Sequence, residues 1–195
     1  MHGTGDTEAT WTEFGRANYI SDNRIAIHKC LPAIIVMPDG HAYLHDEEGD
    51  GLRNLEAMEA DLIKAVVPFV DKLYRTVPKA DHRAICGLSM GAFQSMFIGL
   101  RHQETFSWVA GMSGYVPEVE MNCAAALENP KSTNSHLRLF WHRIGRDDSL
   151  LADEQKFEAI LEKHGIKRQF RVTEGNHDWD TWRGYLGELL PVLFR

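Results

Sequence analysis

Several protein classes are excluded by what this sequence lacks. Its 195 residues hold only three cysteines, Cys30, Cys86 and Cys123, with no C-x-x-C spacing, so neither a disulfide framework nor a thiolate metal cluster is expected. An odd number cannot all pair, and the three read as free thiols, with Cys86 a small core residue. Basic residues are outnumbered, 21 Lys and Arg against 28 Asp and Glu, and the net charge of −7 with no basic run argues against nucleic acid as a partner. No apolar run approaches the roughly 20 residues that span a bilayer, so no membrane partner is expected. The first residues lack a signal-peptide pattern, so the chain as written is expected to be cytoplasmic, or secreted if a longer parent carried an export signal. None of the ten histidines shows H-E-x-x-H or other metal spacing, so no metal and no cofactor is implied. There is no internal repeat, low-complexity tract or linker. The length therefore suits one domain, 1–195.

What is present is an alternation of apolar runs and amphipathic stretches. Residues 11–28 are weakly helical, and Leu31–Met37 (LPAIIVM) reads as a buried strand ended by Pro38-Asp39-Gly40. An irregular acidic loop is expected from His41 to Arg53. Asn54 then caps a long helix whose stripe is Leu55, Met58, Leu62, Val66, Val70 and Leu73, with a kink at Pro68. Strands follow at His82–Leu88, Phe106–Met112, Leu137–Ile144 and Ile166–Thr173, and helices at Ala152–His164 and Trp179–Phe194, the last broken by Pro191. Residues 116–135 have no clear period and are expected to form a small cap. Strand and helix in alternation define an α/β class with a mostly parallel sheet, whose ligand site lies at the carboxyl ends of the strands.

The centre of the chain is Gly87-Leu88-Ser89-Met90-Gly91, a G-x-S-x-G where an apolar run meets a helical pattern in Phe93, Met96, Phe97 and Leu100. On a tight strand-to-helix turn, glycines two residues either side remove the Cβ atoms that would clash, and the serine Oγ is pushed above the sheet. The Met90 amide then opens the helix, where it can face a developing oxyanion. Serine needs an imidazole to take its proton, and the imidazole a carboxylate to fix its tautomer. Post-strand loops supply both. His177 lies after the last strand, and Asp147 and Asp148 compete for the carboxylate role, with Asp148 preferred because it lies one residue deeper after Gly145. The best source of a second oxyanion donor is the turn His2-Gly3-Thr4-Gly5, through the Thr4 amide. Trp11, Tyr43, Phe93, Tyr115, Trp179 and Trp182 are available to line a pocket for a planar acyl group. Of the residues that would meet substrate, Gly3, Tyr115 and Trp179 are the candidates.

With these residues in view, the chain resembles the esterase D-like branch of the α/β-hydrolases, which holds feruloyl and acetyl-xylan esterases, enterobactin esterases, S-formylglutathione hydrolases and mycolyltransferases. The resemblance is carried by Gly15-Arg16-Ala17-Asn18, Met37-Pro38-Asp39-Gly40, His82-Arg83-Ala84-Ile85, Gly87 to Gly91 with Phe93-Gln94-Ser95, Gly145 to Leu150, and Gly175 to Trp179. It implies Ser89 as nucleophile, Asp148 and His177 as its partners, and the Thr4 and Met90 amides as oxyanion hole. It also implies a serine carboxylic-ester hydrolase acting on feruloyl or acetyl esters of carbohydrates. Alternatives are another activity of the branch, an acyltransferase among them, or a non-catalytic hydrolase fold kept for binding. The family's His-Gly turn follows a central strand, whereas this sequence begins at the turn. Direct pairing of Ile34–Met37 with Arg83–Gly87 is therefore expected, giving a truncated α/β-hydrolase sheet of about five strands, with a partner, such as a second copy, at its exposed edge.

Overall fold

The computed structural model describes residues 1–43 and 50–195. Four of the expected strands form: β1 (Ala84–Leu88), β2 (Trp108–Met112), β3 (Leu139–Gly145) and β4 (Gln169–Thr173). They pair in parallel in the order β1-β2-β3-β4, in register from Ala84 against Trp108 to Gly145 against Thr173. Helices take up the connections, as parallel neighbours require. Short α1 (Thr10–Glu13) and α2 (Ala17–Ala26) are separated at Gly15-Arg16, where Arg16 has φ +53°. Then come α3 (Asp50–Asp61), α4 (Val67–Leu73) and α5 (Met90–Arg101). Residues 116–135 contribute α6 (Val119–Asn122), α7 (Ala124–Glu128) and the start of α8 (Pro130–His136). Their Val116, Val119, Cys123, Ala126 and Leu127 belong to one buried core with α5 and with α9 (Leu151–Lys163). The closing α10 (Trp179–Leu189) passes into a 3₁₀ turn at Pro191, and its Trp182, Tyr185, Leu186 and Leu189 pack a second core on the other face of the sheet.

Among the described residues the fifth strand does not form. Residues 31–39 make no strand, and Leu31, Ile34, Ile35 and Val36 each expose 44–54% of their surface. The expected ladder to β1 does not form, because Met1 holds that edge: its amino group donates to Cys86 O (2.7 Å), and Leu88 N–H donates to Met1 O (3.2 Å). Trp11 Nε1–H donates to the same carbonyl at 2.9 Å. An apolar run without a partner row of N–H and C=O groups has nothing to fix it as a strand.

The helix expected to begin at Asn54 starts earlier, at Asp50. Of the acidic loop expected from His41 to Arg53, residues 44–49 lie outside the described residues, and 50–53 are helical. Asn54 is no cap. Its side chain is buried, accepting from Ala42 N–H (2.8 Å) and donating to Gly40 O (2.9 Å). Ahead of Pro68 the helix widens to a π turn over Leu62–Val66, the local adjustment by which a helix accommodates a missing N–H. The apolar stripe is buried only as far as Leu62, and Phe69 and Leu73 beyond it are exposed.

Candidate active site

All four strands end at the same edge of the sheet, so the loops after β1, β3 and β4 bring together residues separated by up to 88 positions. Ser89 follows β1 with φ +51° and ψ −121°, outside the regions that L residues normally occupy. The glycines beside it are needed sterically. A Cβ on Gly87 would lie 2.3 Å from Gly91 O, and one on Gly91 would lie 2.5 Å from the Met1 and His2 carbonyl oxygens.

Ser89 Oγ lies 2.9 Å from His177 Nε2, and His177 Nδ1 lies 2.9 and 3.0 Å from the two carboxylate oxygens of Asp148. With Nδ1–H donating to Asp148, Nε2 presents its lone pair to the serine hydroxyl. Asp148 is nearly fully buried and also accepts from Leu150 N–H at 2.9 Å, whereas Asp147 is exposed. Burial pushes the Asp148 carboxyl up, but hydrogen bonds from His177, Leu150 and Ser113 outweigh it and hold the group below the ordinary carboxylate value. Trp182, 5% exposed, sets its ring edge-on against His177 at 4.9 Å. Such an arrangement can move a proton from hydroxyl to imidazole while the carboxylate balances the charge.

The His2–Gly5 turn lies over this group. A Cβ on Gly3 would meet Leu88 Cδ1 at 2.8 Å and Ser89 Cβ at 3.3 Å, so Gly3 lies directly against the serine. Among the described residues, the Thr4 and Met90 amides donate to no protein acceptor, and Met90 is the first residue of α5.

Sequence reasoning missed what holds that turn. His2 is buried, with Nδ1 2.9 Å from Gly3 O, and its Nε2 accepts the Gly40 N–H at 2.8 Å. Gly40 O in turn accepts from Asn54 and from Gln94 (2.7 Å). The only signal was the polar Gln94 and Asn54 on otherwise apolar helix faces. His2, Asp39 and His41 have potential ligand atoms within 4.8 Å of one another, a cluster invisible to sequence spacing. Since His2 Nε2 is already accepting from Gly40, its lone pair is not free for a cation.

The substrate candidates divide. Tyr115 pairs with Phe93, centroids 5.0 Å apart. Trp179 lies between Trp11 (5.2 Å), Trp182 (5.4 Å) and Phe14 (6.3 Å), so an aromatic row runs away from His177. Trp11 and Trp182 are core residues, and Arg53 lies over the Tyr43 ring.

A parallel sheet flanked by helices, with a serine on a strained strand-to-helix turn, defines the α/β-hydrolase fold. Comparison with known proteins gives the family: residues 2–193 match the model described as "Putative esterase", and the chain belongs to that esterase family. It is 32% identical over its whole length to an endo-1,4-beta-xylanase/feruloyl esterase of Xylanibacter ruminicola, and spans only 26% of that protein. A solved ferulic acid esterase superposes with a TM-score of 0.82 at 28% identity, covering 100% of this chain and 82% of the other. The ferulic acid esterase of Anaeromyces mucronatus, solved in complex with ferulic acid, shares the fold at a TM-score of 0.82 and 18% identity, over 99% of this chain and 76% of that one.

Proposed function

We propose that this protein hydrolyses carboxylic esters through an acyl-enzyme on Ser89. What supports the reading most is the unbroken line of contacts from Asp148 through His177 to Ser89, each 2.9–3.0 Å long. His177 Nε2 takes the Ser89 proton as Oγ bonds to the acyl carbon. The carbonyl oxygen becomes negative and is held by the Met90 and Thr4 amides. The tetrahedral adduct then expels the alcohol, which leaves with the proton from His177. Water, deprotonated by the same imidazole, attacks the acyl-enzyme and releases the acid.

Feruloyl esters of carbohydrates are the proposed substrates, since the relatives above are feruloyl esterases and the Tyr115–Phe93 pair and the Trp179 row offer flat apolar walls to an aromatic acyl group. Ser89→Ala should abolish turnover of p-nitrophenyl acetate and labelling by a fluorophosphonate; a variant that kept wild-type turnover would overturn the assignment. Methyl ferulate should be hydrolysed faster than short acetate esters, and the reverse order would replace the feruloyl reading with an acetyl one.

A further inference from the structure

Three of the four post-strand loops carry the residues just assigned, and the fourth carries Ser113. This serine directly follows β2, is fully buried, and has φ +57°, a conformation that costs a non-glycine residue free energy. Its backbone explains the bend. The carbonyl before it, Met112 O, accepts the N–H of Ser89 at 2.9 Å, and its own N–H donates to Arg143 O at the end of β3 at 2.8 Å. Gly114 N–H, next along, donates to Glu154 Oε2 at 3.1 Å. That carboxylate is itself fixed in the core, its other oxygen 3.1 Å from His142 Nδ1, with His142 Nε2 2.6 Å from Glu158.

The hydroxyl is equally committed. A serine Oγ has one proton to give and two lone pairs. Trp182 Nε1–H donates to it at 2.9 Å. Trp182 is also the ring edge-on to His177. One side chain thus holds the indole that flanks the imidazole, while the neighbouring main chain holds the serine turn.

We infer that Ser113 is a positioning residue for the reaction: its hydroxyl fixes the Trp182 ring that flanks His177, so that the imidazole keeps both its orientation and its contact with Ser89. This rests on the ester-hydrolase reading.

The test compares wild type with Ser113→Ala, Ser113→Gly and Trp182→Phe on p-nitrophenyl acetate, with thermal melts and fluorophosphonate labelling alongside. Glycine relieves the positive φ and alanine does not, but both lack the hydroxyl. Both should lose roughly fivefold in kcat, about the size of one neutral hydrogen bond, with KM unchanged, and Trp182→Phe, which keeps an aromatic ring but not the N–H, should lose as much. Either serine variant retaining wild-type kcat, or both losing kcat while Trp182→Phe does not, overturns the inference, the second outcome marking a merely structural serine. Wild-type protein that takes no label overturns the hydrolase reading and this inference with it; labelled wild type beside unaltered variants overturns this inference alone.

Discussion

Gly91→Ala isolates the contribution of the N-terminal turn. The new Cβ would lie 2.5 Å from both Met1 O and His2 O and 2.6 Å from Met1 C, all backbone atoms that no rotamer change can move aside. Ordinary contact starts at 3.4 Å, so the turn must retreat by about 0.9 Å. Thr4 N–H is two peptides beyond the Met1 carbonyl and moves with it. An oxyanion bond of about 2.9 Å would lengthen to roughly 3.8 Å, past hydrogen-bonding range. Loss of one such donor costs ~10²–10³ in kcat, or about 3–4 kcal/mol of transition-state stabilisation. Stability should change far less. Overpacking costs ~1–3 kcal/mol, and replacing glycine by alanine in a helix returns about 1 kcal/mol. The assay is p-nitrophenyl acetate turnover with a thermal melt, and Gly184→Ala, an exposed site in α10 where a Cβ meets nothing within 4 Å, is the control. A folded Gly91→Ala protein within threefold of wild-type kcat would refute the idea that the His2–Gly5 turn supplies a donor.

Two further outcomes follow from charge. Asp148→Asn presents an amide where His177 Nδ1–H needs an acceptor, so kcat should fall by ~10⁴, while Asp147→Asn, at an exposed residue, should stay near wild type; equal losses in the two would reverse the assignment. Stability should fall as pH rises from about 5 to 8. Burial pushes the Glu154 carboxyl up to about 7 against its His142 bond, and His142, penalised by burial, is nevertheless raised by Glu154 and Glu158. The folded state thus keeps protons that the unfolded chain releases, and the slope of unfolding free energy with pH is negative there. Asp148 acts oppositely, its depressed value giving stability that is lost only as pH falls below the ordinary carboxylate range. Melting temperatures at pH 5.5 and 8 test this, with Glu154→Gln expected to flatten the difference; a wild-type melt that does not fall would count against the buried cluster.

Much of this was local and therefore legible in the sequence. The β1–α5 turn could be read because Gly87 and Gly91 are demanded by sterics within five residues, and His177 because a histidine flanked by loop residues after a final strand has few other uses. The parallel strands announced themselves through continuous apolar runs, since a sheet covered on both faces asks for nothing polar. Composition and hydrophobic period are one-dimensional, however, and say nothing about which edge receives which neighbour. LPAIIVM has every local mark of a strand and is none, because Met1 took the β1 edge it needed. Asn54 looked like a cap and is a buried tie to Gly40, a choice made by a loop 14 residues away. Ser113 carried no motif at all. Its proposed role depends on four strands stopping at one level, which places its hydroxyl against a tryptophan 69 residues on. Identity of elements and of the candidate reactive side chains came from residue order and local sterics; their distances, and the residues that hold them there, were decided only when the sheet set its edges.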